Sequence, residues 1–177
     1  MKLIGVICCL ILPFMWLSAK EYHGPKEEQR VWRAYDAFAA QFAKQFQLEL
    51  LNTGLGSMMD TPRVKWAMSL VDHRQMTQDQ LRPSLLQMID TVWSKVKTDP
   101  AFAAKLDSYP KKETLHPEMI GFKIAFWDAD VNRPLHPYLA QVRVTGEKIS
   151  YFYADPKTQA LQEPIVETLT EARQRVK

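Results

Sequence analysis

The sequence has little of what most often carries chemistry. Its two cysteines, Cys8 and Cys9, sit side by side inside an apolar run near the N-terminus. If that run is removed, the mature protein has neither a disulfide nor a thiol. The four histidines, His23, His73, His116 and His136, are scattered. No pair has ligand spacing on a helix or hairpin, so a zinc site finds no support. No serine lies in a Gly-x-Ser-x-Gly elbow. Gly54-Leu55-Gly56 has no closing Gly-Lys-Ser/Thr, so it fails as a phosphate cradle. The net charge is only +3 and no Lys/Arg block or stripe occurs, which leaves nucleic-acid binding little support. Repeats, low-complexity blocks and domain linkers are also missing, and no cofactor is implied.

What is present is an export layout. Met1-Lys2 is a short basic start, Leu3 to Leu17 is apolar, and Ser18-Ala19-Lys20 returns to polarity. This pattern predicts a signal peptide over residues 1–19 with cleavage after Ala19. The apolar run is shorter than the roughly 20 residues that a spanning helix needs, and Pro13 interrupts it. An anchor over residues 3–17 is the alternative, and the only route by which this chain would contact a membrane. Ile7 before Cys8 is not the small residue that cysteine lipidation requires. Residues 20–27 read as a flexible tether, and 28–177 as one domain, since 177 residues build one good core rather than two.

Within that domain, Val31, Tyr35, Phe38, Phe42 and Phe46 recur at steps of three and four, predicting a helix from Pro25 to Gln47 with a buried aromatic stripe. Leu48 to Leu51 reads as a short strand before a loop from Asn52 to Met59. Arg63 to Asp72 alternates as a strand. Thr77 and Gln80 form a capping box for a helix to about Lys97, with Pro83 expected to bend or loosen its second turn. A short helix is expected over Ala101 to Leu106. Ile120, Phe122, Ile124 and Phe126 alternate as a strand with one buried face. Gly146-Glu147 is expected to close a type II′ hairpin that pairs Val144 with Ile149, Val142 with Tyr151 and Ala140 with Tyr153. Arg143, Ser150, Gln141 and Lys148 then fall on the opposite face. Glu163-Pro164 is expected to open a last helix to about Val176, burying Ile165, Leu169, Ala172 and Val176.

Two stretches are candidate sites. Leu55, Met58 and Met59 form a loop whose soft apolar side chains would suit contact with a protein partner if exposed. Asp128, Asp130 and Asn132 match the first half of a calcium loop, but Arg133 replaces the glycine and Leu139 the bidentate glutamate. With His136, and with Glu113 and Glu118 upstream, the 128–136 loop is the place where a small metal-dependent or acid–base hydrolase would be centred. The plainer expectation is that the acids bond their own turn and that His136 caps the hairpin edge.

Thr53-Gly54-Leu55-Gly56 before a strand, Trp93-Ser94-Lys95-Val96-Lys97-Thr98-Asp99 with Tyr109-Pro110 after it, Phe122 to Asp128, Pro137-Tyr138 and Gly146 to Tyr151 resemble, in their order, a set of small exported proteins of chlamydia-related intracellular bacteria. The resemblance spans residues 25–175. It implies export and a single α+β domain, and it brings no catalytic residue. The expected architecture is a two-layer α+β domain in the order α-β-β-α-β-β-β-α, with an antiparallel or mixed sheet of about four to five strands and helices mainly on one face. Trp127, Phe152 and Lys65 would mark the more open face, where a partner is expected. The expected function is that of an exported, non-enzymatic envelope or secreted protein that binds another macromolecule.

Overall fold

The computed structural model describes residues 26–55, 66–102, 119–128, 130 and 132–176. The elements follow in the order α1 (Lys26–Gln45), β1 (Glu49–Leu55), β2 (Trp66–Asp72), α2 (Gln78–Thr98), β3 (Ile120–Phe126), β4 (Gln141–Thr145), β5 (Lys148–Phe152), β6 (Ile165–Thr168) and α3 (Leu169–Gln174). The strands form one sheet in the spatial order β1-β2-β3-β4-β5-β6. Every neighbouring pair is antiparallel except β2 and β3. A parallel pair needs a long crossover, and the segment containing α2 supplies it. The class is α+β with a mixed sheet, as expected, but with six strands rather than four or five.

The helical layer forms because the aromatic stripe of α1 has nowhere else to go. Tyr35, Phe38 and Phe42 are buried, and their rings meet Trp66 of β2, Phe122 of β3 and Phe102 beyond α2 at centroid distances of 4.3 to 6.3 Å. Tilted and edge-on pairs of this kind add about 0.5–1.5 kcal/mol each to the area they bury. Leu81, Leu85, Met88, Ile89, Val92 and Val96 of α2 enter the same core, as do Leu169 and Ala172 of α3. Thr77 and Gln80 form the expected capping box. Pro83 leaves α2 unbroken from Gln78 to Thr98. The carbonyl that it frees belongs to Asp79, which is exposed, so water can satisfy it.

The meander takes the predicted register, with Val144 opposite Ile149 and Val142 opposite Tyr151. Gly146 has φ 56°, and Glu147 is not among the positive-φ residues, the signature of a type II′ turn. The ladder itself stops at Gln141 and Phe152, one residue short of the expected Ala140–Tyr153 pair.

Two expectations need correction. Asn52, Thr53 and Gly54 belong to β1 rather than to a loop: a bulge after Leu50 restores their register against β2, and the Thr53 hydroxyl donates to Asp36 of α1. The last helix is shorter than its periodicity suggested. Ile165 to Thr168 pair with β5 as β6, and Ile165 and Val176 are exposed. Thr168 then caps α3 through a second capping box with Glu171. Most of the short helix expected over Ala101 to Leu106 lies outside the described residues.

Candidate functional site: the second face of the sheet

The helices contact one face of the sheet, and the register fixes what the other face carries. One row runs across all six strands: Asn52, Ser69, Lys123, Arg143, Ser150 and Val166. On one side of it lie Val71, Ala125, Gln141 and Phe152, and on the other Ala67, Gly121, Thr145 and Lys148. Lys123 and Arg143 stand directly opposite each other. Like charges in that relation destabilise a sheet. Lys148 and Phe152 occupy the diagonal positions to Arg143, and the Arg143 guanidinium carbon lies 5.4 Å from the Phe152 ring centroid. Among the described residues no carboxylate pairs with Lys123, Arg143 or Lys148. Glu49, at the edge of this face, is engaged by His73 at 3.2 Å.

The same patch holds unsatisfied polar groups. Ser69 Oγ, Gln141 Nε2 and Arg143 Nε are all buried without a hydrogen-bond partner, and Ser69 as a whole is only 2% exposed. Each such group costs about 1–3 kcal/mol. Two facing cations and three orphaned polar atoms on adjoining positions are not what stability alone would select.

The helix side holds a polar cluster of a different kind. Arg82 of α2 and Glu167 of β6 are 4% and 3% exposed, and Arg82 Nε donates to Glu167 Oε1 at 3.1 Å. The Tyr151 hydroxyl donates to the same oxygen, and Arg82 also donates to the exposed Asp79. Glu167 Oε2 makes no hydrogen bond, although Arg175 Nη1 lies 3.4 Å away. Burial, and then the bond to Glu167, push the Tyr151 phenol well above its ordinary range. Burial works to lower the Arg82 pKa, but its bonds to Asp79 and Glu167 outweigh that and raise it. Sealed by the core, this cluster fastens α2 to the edge strand. A shallow cavity of about 440 Å³ lies between α1 and α2, lined by Gln41, Asp90, Thr91, Ser94 and Lys95 among others. Its charges are already matched, Asp90 by Arg173 and Lys95 by Asp99.

The sequence-predicted positions fare differently. Leu55 closes β1 opposite Trp66, whereas Met58, Met59 and the cleavage position Ala19 lie outside the described residues, as do Lys65, Glu113 and Glu118. Asp128 Oδ1 accepts the backbone amides of Asp130 at 2.9 Å and Asn132 at 2.8 Å, so this carboxylate holds its own turn. His136 does not join it and instead meets the Tyr153 ring at 5.3 Å. Among the described residues no group of three His, Cys, Asp or Glu side chains could hold a metal. Of the expected partner-face residues, Phe152 lies within the cationic patch, while half-buried Trp127 sits just beyond the end of β3. In the sequence, alternation along β3 marks Lys123 only as outward-facing. Its apposition to Arg143 becomes visible only when β3 and β4 are paired.

None of the described helices is long and apolar enough to cross a membrane. Comparison with known proteins gives no matching family model, no matching curated protein and no matching solved structure.

Proposed function

We propose that this chain is an exported, non-enzymatic protein of the bacterial envelope, or one secreted beyond it, that binds another macromolecule through the second face of its sheet. The export layout of residues 1–19 supports the location. The observation that carries the binding reading is the juxtaposition of half-buried Lys123 and Arg143, with exposed Lys148 diagonal to Arg143 and no carboxylate paired with any of the three among the described residues. Facing cations cost the isolated domain stability, and an anionic ligand that neutralises them recovers that cost.

Two measurements test this. Intact mass of protein purified from its own cells should begin near Lys20 in a soluble fraction; a full-length mass in membranes would overturn the cleavage. A photo-crosslinking residue at Phe152 should trap one discrete species in those cells, and the same residue at Ser94 on the helix layer should not. No adduct from Phe152, or equal adducts from both, would refute the assignment of the surface.

A further inference from the structure

We infer that the ligand of this face is an acidic segment of a protein, one of whose carboxylates is received between Lys123 and Arg143. The inference rests on the reading that this face is the contact surface, and it specifies the partner's chemistry.

The argument is a census of the positions around Arg143. Lys123 is its cross-strand partner on β3, and Ser150 its partner on β5. Gln141 and Thr145 flank it on β4, and Lys148 and Phe152 stand diagonally across on β5. These six neighbours comprise two cations, three neutral polar groups and one ring, with no carboxylate. Cross-strand partners have Cβ atoms about 4.5–5.5 Å apart, and diagonal ones about 7–8 Å. An oxyanion above the row therefore lies within reach of all three cationic groups. Ser69, on the far side of Lys123, is sealed at 2% exposure, so the receiving positions are those of β3, β4 and β5.

Carboxylate suits this site through the fork geometry of arginine and the point charge of lysine beside it. Ala67 and Gly121 are buried, whereas Lys123, Arg143, Ser150 and Phe152 are half-buried and Lys148 is exposed, a partly open strip over β3 to β5 that suits an extended segment better than a ligand needing a closed pocket. Nucleic acid fits less well. The whole chain carries only +3, so the cations are local to this patch and do not trace the basic stripe that a phosphate backbone follows.

The test uses the full chain and a fluorescein-labelled oligoglutamate, with oligothymidylate as the competing polyanion. Oligoglutamate should bind at low salt and weaken steeply towards 1 M, where the screening length falls to about 3 Å. Lys123→Gln and Arg143→Gln should each weaken it about tenfold or more, a difference worth about 1.4 kcal/mol. Arg173→Gln, on the helix layer, should leave binding unchanged. Lys123→Glu should abolish binding while raising the melting temperature, because it turns a repulsive cross-strand pair into an attractive one. That variant separates lost recognition from lost folding.

Absence of oligoglutamate binding, or equal loss in Arg173→Gln, would overturn the inference. So would tighter binding of oligothymidylate through the same residues, which would name a nucleic acid instead. A crosslink from Phe152 combined with no oligoglutamate binding would overturn the acidic partner alone. Absence of both would remove the contact surface as well.

Discussion

Replacing Glu167 by Gln tests the part of this fold that looks least economical. Arg82 and Glu167 are nearly sealed from water, at 4% and 3% exposure, and meet at 3.1 Å. Gln keeps the shape, and its carbonyl can still accept from Arg82 or Tyr151, so packing changes little. What disappears is the buried negative charge. Removing one member of a buried ion pair typically costs about 3–5 kcal/mol, because the other charge stays desolvated and uncompensated. Asp79 still reaches Arg82, but its side chain is 89% exposed and water screens it, so it replaces little of the lost interaction. The expected loss is therefore near the lower bound, about 3 kcal/mol, a large share of the roughly 5–15 kcal/mol typical of a domain. In urea the midpoint should fall by about 1–3 M at an unchanged slope, given slopes of about 1–3 kcal/mol per M. The double replacement Arg82→Met with Glu167→Leu should recover most of that loss, since apolar pairs of similar volume often match buried ion pairs. A loss below about 1 kcal/mol in Glu167→Gln would refute the claim that the pair is electrostatically isolated from solvent.

Other outcomes follow from single residues. The Tyr151 phenol is pushed above its unfolded value of 10.0, so the folded state holds its proton longer than the unfolded chain does. Its contribution is fully present below pH 10 and is lost as the pH rises further, at up to about 1.4 kcal/mol per pH unit. Alkaline denaturation of Tyr151→Phe should lack that component; identical pH profiles would rule it out. Gly146→Ala places a Cβ at φ 56° and should cost about 1–2 kcal/mol in thermal unfolding, whereas an unchanged melting temperature would mean the turn relaxes freely. Thr77→Ala removes the hydroxyl that accepts the Gln80 amide and should cost about 1 kcal/mol, read by urea titration; a neutral result would show that water caps α2 equally well.

Much of this architecture was written locally. The aromatic stripe of α1, the Thr77–Gln80 capping box and the Gly146 turn need only residues within a few positions of one another, and each is found where the sequence places it. The meander register is equally local, because a one-residue slip would turn Val142, Val144, Ile149 and Tyr151 away from the core. The strand β6 was hidden for the complementary reason. Ile165, Leu169, Ala172 and Val176 fit a helical period, and what makes Ile165 to Thr168 a strand is the edge of β5 beside them. A readable signal did exist: Thr168 and Glu171 form a capping box that starts the helix four residues later than the periodicity implies.

The sequence by itself determined the α+β class, the starts of α1 and α2, the hairpin and its inward-facing side chains, since periods of 3.6 and 2 and turn chemistry are short-range properties. Tertiary structure alone decided the parallel seam between β2 and β3, the union of Arg82 with Glu167 across 85 residues, and the meeting of Lys123 with Arg143. Those depend on which strands and helices become neighbours. Neighbourhood is settled when the whole apolar surface is buried at once, and no stretch of chain encodes it alone.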